Sequence, residues 1–101
     1  MAALVPEAAQ LSAHDDSELV VIEGLAENQP DNAAVQLKYG HILAARGNYE
    51  DALAAMLQAA AAEKSFARGP AKESMVALFK VIGVRSELAD AYRAKLQSLL
   101  Y

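Results

Sequence analysis

The sequence predicts an all-α chain of about five helices arranged as antiparallel hairpins. Three observations carry that prediction. Hydrophobic residues fill 54% of the 101 positions, yet alanine supplies much of that share and aromatics only 6%. Alanine loses no side-chain entropy in a helix and buries no polar atom, so such a chain favours helices that pack closely. Apolar residues recur at three- and four-residue intervals, and no stretch sustains the two-residue alternation of a strand. Pro30, Gly47, Gly69-Pro70 and Gly83 fall between the periodic stretches, where breaks belong.

Residues 1–14 are weakly periodic, contain Pro6, and read as a linker or a loosely held first turn before a domain spanning 15–101. Asp15 and Glu18 have the spacing of a capping box, and Leu19, Ile22, Leu25 and Ala26 follow at helical intervals. Pro30 ends that helix. Asp31 or Asn32 caps a second helix carrying Val35, Tyr39, Ile42 and Leu43, which closes at Gly47. Asn48 is expected to cap a third, with Glu50 and Asp51 in its first turn and Leu53, Met56, Leu57 and Ala60 inside, fading near 63–66. Pro70 suits the first position of a fourth helix, with Met75, Leu78, Phe79 and Ile82 as its core stripe before Gly83. Ser86 caps a fifth with Leu88, Ala89, Tyr92, Leu96, Leu99 and Leu100.

Composition excludes several kinds of function. The net charge is −4 and the lysines and arginines are scattered, so no basic stripe is present to neutralise a phosphate backbone. The chain has no cysteine, which removes disulfides, thiolate metal sites and thiol redox chemistry. No apolar run reaches the length of a membrane span, and Met1–Val5 lacks the positive start of a secretory signal. The expected location is the cytoplasm, with neither membrane nor nucleic acid as a partner.

The residues around Pro30 also mark a repeat. Counted from Ala33, Tyr39-Gly40, Leu43, Gly47, Tyr49, Ala52, Leu53 and Ala59 fall at the spacing of a helix-hairpin unit. Gly40, Ala52 and Ala59 are small where helices cross, Gly47 turns the chain, and Tyr49 and Leu53 fill the space behind the turn. This pattern resembles the tetratricopeptide repeat over residues 33–66, with Met56 in place of the usual Phe, Gln36 in place of Trp and Lys64 in place of the closing Pro. A shift of about 36 residues lays Met75, Phe79, Ile82, Leu88 and Tyr92 over it in apolarity, so 70–101 reads as a degenerate capping repeat. The resemblance implies a right-handed superhelical array that binds other proteins and catalyses nothing.

The last third resembles the closing helices of thioredoxin-like co-chaperones (YbbN-like proteins). The order of Lys72, Met75-Val76, Leu78-Phe79, Gly83, Ala89, Tyr92-Arg93, Lys95-Leu96 and Leu99-Leu100 carries that likeness. It implies a helical tail that engages a chaperone or an unfolded client. No thioredoxin domain lies in this chain, which reads either as a piece of a longer protein or as a free-standing repeat protein.

The repeat register places Ala34, Leu37, Lys38, His41, Ala44 and Ala45 on the inner face of the second helix. Some tetratricopeptide domains grip a peptide carboxylate there with a set of Lys, Asn and Arg. Only two of these positions are polar, which argues against such a clamp. A shallow, mostly apolar groove remains, formed by Ala34, Leu37, Lys38, His41 and Ala45. It suits an apolar peptide, a helix or a second copy of the domain, unless the first helix or residues 1–14 already cover it. A self-associating domain with no separate ligand is the alternative function. His14-Asp15-Asp16 and Glu50-Asp51 are ordinary at helix starts, and two histidines without partner spacing make no zinc site. No catalytic set, phosphate loop, metal or cofactor is expected.

Overall fold

The computed structural model describes residues 16–83 and 86–100. Among them six helices follow one another with no strand: α1 (Asp16–Asn28), α2 (Ala33–Ala45), α3 (Tyr49–Ala62), the single turn α4 (Lys64–Ala67), α5 (Pro70–Ile82) and α6 (Glu87–Leu100). The expected linker over 1–14, the Asp15 half of the capping box, and the His14-Asp15 pair lie outside the described residues. No helix among the described residues is long and apolar enough to cross a membrane.

The caps explain most boundaries. Of the two candidates for α2, Asn32 is the cap: its Oδ1 accepts a hydrogen bond from the Val35 N–H at 3.2 Å. α2 closes on Gly47, whose φ of 85° is open to glycine at no steric cost. The Gly47 N–H donates to the Ala44 carbonyl at 3.0 Å and the Asn48 N–H to Leu43 at 2.9 Å, the pair of bonds of a Schellman closure. Asn48 departs from expectation. It precedes α3, but its side chain makes no capping bond. Its backbone is already committed to closing α2, and only its carbonyl serves α3, accepting from the Ala52 N–H at 2.9 Å. Pro70 occupies the first turn of α5. The Ser86 Oγ accepts from the Ala89 N–H at 3.1 Å at the start of α6.

The end of α3 is sharper than the periodicity suggests. Glu63 adopts an extended backbone (φ −146°, ψ 119°), which stops α3 at Ala62 and lets Lys64–Ala67 wind a separate turn. That turn delivers Ala67 to the core before Pro70 starts α5.

α3 is the centre of the packing. Ala52, Leu53, Ala55, Met56, Ala59 and Ala60 are all buried, and α3 touches α2, α4, α5 and α6. Its small residues let neighbours approach, as at Gly40 of α2, where an added Cβ would lie 2.8 Å from the Met56 Cγ. Met75, Leu78 and Phe79 of α5 and Ala89, Tyr92 and Leu96 of α6 complete the same core.

Two layers result. α2 and α5 lie side by side in one, joined by a 2.7 Å hydrogen bond between His41 Nε2 and Ser74 Oγ. α3 and α6 lie side by side in the other, with a groove between them. α1 packs on the opposite flank of α2, where the Tyr39 hydroxyl donates to Glu23 over 3.4 Å.

Gln36 holds α1 in place. It is the one polar residue buried among the described residues. Its Nε2 donates to the Ala26 carbonyl at 2.9 Å and to Gln29 at 3.2 Å. The last carbonyls of a helix lack helical donors, and Pro30 supplies none. The amide therefore ties α1 to α2 by hydrogen bonds, at the position where the repeat pattern has a large ring. Gln36→Ala leaves the buried Ala26 carbonyl without its donor, at a cost of about 1–3 kcal/mol, while the Gln29 carbonyl keeps the Asn32 N–H at 3.1 Å. Amide hydrogen exchange should show α1 losing protection while α3 keeps most of its own.

Candidate functional site

An α-helix brings residues three and four apart onto one face. Ala34, Lys38, His41 and Ala45 follow intervals of four, three and four, and all four are exposed in one line along α2. Leu37 borders this line but is half-buried and packed against the core. Ala44 is likewise half-buried against the core.

A second helix flanks this line, which the register did not predict. The His41–Ser74 bond brings α5 alongside the α2 stripe. On α5, Pro70, Ala77 and Val81 share the Ser74 flank by helical spacing and are exposed, Val81 to 60%. The face is therefore built by two helices. Its surface is alanine, valine and proline, with Lys38, His41 and Ser74 as its polar points. The exposed α5 valine was the available signal, since the core stripe of that helix left it unused.

The opposite layer presents a rival concavity of about 630 Å³ between α3 and α6. Ala54, Leu57 and Ala61 line one side, and Tyr92, Lys95 and Leu99 the other. The Lys95 ammonium sits 4.5 Å from the centre of the Tyr92 ring, a cation–π contact within the lining.

Among the described residues two tyrosines carry perturbed ionisations. Burial raises the Tyr39 hydroxyl above its ordinary value near 10, and the carboxylates of Glu23, Asp51 and Glu27 add to the rise. Burial also raises Tyr92, with Glu50 and Asp51 contributing. Both hold the neutral form, so neither is prepared as a base. Above about pH 10 the unfolded chain releases these protons while the folded one keeps them, so stability falls as pH rises. Thermal melts between pH 9 and 11.5 should fall less steeply for Tyr39→Phe and Tyr92→Phe than for the parent.

Among the described residues no group of three His, Cys, Asp or Glu side chains is placed to hold a metal ion. Glu50 and Asp51 are both exposed in the first turn of α3, where the helix dipole favours acidic side chains.

Comparison with known proteins agrees with this architecture. Searches of curated proteins and of solved structures return no match. A family profile described as tetratricopeptide repeat matches residues 12–101. That span includes every helix described above and the whole α2–α3 unit on which the repeat spacing was first read, and the chain belongs to the tetratricopeptide repeat family.

Proposed function

We propose that this chain is a non-catalytic module that binds a protein or peptide along the face shared by α2 and α5. The observation that carries the reading is the single exposed line of Ala34, Lys38, His41 and Ala45 beside Ser74, Ala77 and Val81. A surface of small apolar residues with a few polar points accepts an extended segment or a helix, and its polar points fix orientation. Lys38 offers the charge that selects an acidic group on the ligand.

The finer reading is that the module serves a co-chaperone and takes a chaperone surface or an unfolded client in the cytoplasm. The order of residues from Lys72 to Leu100 supports it by resemblance. Self-association is the second reading, favoured by exposed valines outside the groove at Val20, Val21 and Val76.

The test is capture from a cell extract by the parent chain and by Lys38→Glu/Ala45→Glu. Both positions are exposed, so the fold should survive, whereas substitution of half-buried Leu37 would confound binding with stability. Proteins retained by the parent and lost at least tenfold by the variant support the groove. An unchanged set of captured proteins removes it.

A further inference from the structure

The two ends of the helical array differ in charge and share an apolar centre. Residues 1–67 hold ten of the thirteen acidic residues and three of the nine basic ones, and residues 68–101 hold the remainder. At the first end, α1 uses Leu19, Ile22 and Ala26 against the body of the protein. Its other face carries Val20 and Val21, 63% and 62% exposed, and Leu25. Gly24 lies between them, and an added Cβ there would meet nothing within 4 Å. By helical spacing Glu18 flanks this apolar strip on one side and Glu23 and Glu27 on the other, and α1 contains no lysine or arginine.

The last end is its counterpart. Lys72, Val76 and Lys80 fall at intervals of four on the flank of α5 turned away from Ser74 and therefore from α2, and Arg68, in the turn before the helix, lines the same surface. Between α5 and α6 lies a groove of about 290 Å³, with Val76, Leu96 and Leu100 as its apolar lining and Lys72, Arg93 and Gln97 as its polar lining. Arg93 is fixed there by a 2.7 Å bond to Asp90 and by the Phe79 ring, 5.1 Å away. Glu73 is the acid beside this basic row.

We propose that the first end of one copy docks on the last end of another, α1 seating its valine–leucine strip over Val76 and Leu100 with Glu23 and Glu27, the acids of one edge, against the row of Arg68, Lys72 and Lys80. The occupant is a second copy because the chain itself carries the matching surface: an apolar strip edged with acids meets an apolar groove edged with bases. Each copy keeps one end unused, so the contact is head-to-tail and extends beyond a dimer. It uses neither Lys38 nor Ala45, so the groove reading stands or falls separately.

Sedimentation velocity of the full chain tests the arrangement. The average mass should rise with concentration from 10.7 kDa through twice that value and beyond. It should drop in 1 M salt, where screening shortens from about 10 Å at 0.1 M to about 3 Å. Glu27→Lys/Val21→Lys disables the first end and Lys72→Glu/Val76→Glu the last. Each variant alone should sediment as a monomer, and an equimolar mixture should form a dimer through the one intact pair of ends. The milder Glu27→Gln and Lys80→Gln should each weaken association several-fold with an unchanged circular dichroism spectrum. A parent chain that stays monomeric at several hundred micromolar overturns the proposal, whether residues 1–15 cover α1 or a foreign acidic helix takes the basic end. So does self-association that persists in either double variant, or a mixture that fails to dimerise.

Discussion

Leu53→Ala will lower the unfolding free energy by about 2–5 kcal/mol, the range for removing a large aliphatic group from a closed core. Leu53 is completely buried in α3, the helix that touches α2, α4, α5 and α6. The cavity therefore opens where the two hairpins meet. A small repeat domain has only about 5–15 kcal/mol in all, so the variant should be partly unfolded at moderate temperature. Urea denaturation followed by circular dichroism gives the value. Leu25→Ala, on the open face of α1, should change it by less than about 0.5 kcal/mol. Equal effects at the two positions would mean that the core is not centred on α3.

Gly40→Val should destabilise by about 1–3 kcal/mol, although glycine is a poor helix former and its replacement would otherwise help. The Cβ would meet the Met56 Cγ at 2.8 Å and the Ala52 carbonyl oxygen at 3.1 Å. Met56 is fully buried, and the carbonyl belongs to the backbone of α3. Gly40→Ala should cost less, since a single methyl needs less displacement and recovers up to about 1 kcal/mol of helix propensity. Shortening the opposing side chain should restore part of the loss, so Gly40→Val/Met56→Ala should be more stable than the two single effects add up to. A stabilised Gly40→Val would place the α2–α3 crossing elsewhere.

These two residues also mark what a linear reading can reach. Gly40 and Leu53 were legible because the repeat spacing gives each a local reason: closeness at a crossing and filling behind a turn. Helix starts were legible at Pro70 and Ser86, and at Asn32 to within one residue, Asp31 being the other candidate. Asn48 failed because it ends α2 and begins α3 at once, and the first task set its backbone. Gln36 read as a mere departure from Trp, because nothing near it announces carbonyls seven and ten residues earlier. Glu63 broke α3 without glycine or proline to signal it. Of the candidate face, the α2 stripe followed from the repeat register. The α5 wall did not, since only the packed hairpins bring Ser74 to His41 across 33 residues.

Photocrosslinking from defined positions tests most directly whether the α2–α5 face binds protein. A crosslinking amino acid at Ala45 reports on that face, and the same group at Ala61 reports on the rival α3–α6 groove. Both positions are exposed, so the probe should leave the fold intact. In cells, position 45 is expected to yield discrete adducts with other proteins that Lys38→Glu abolishes, and position 61 is expected to yield few. Adducts from position 61 alone, or adducts from position 45 that survive Lys38→Glu unchanged, would contradict binding at this face.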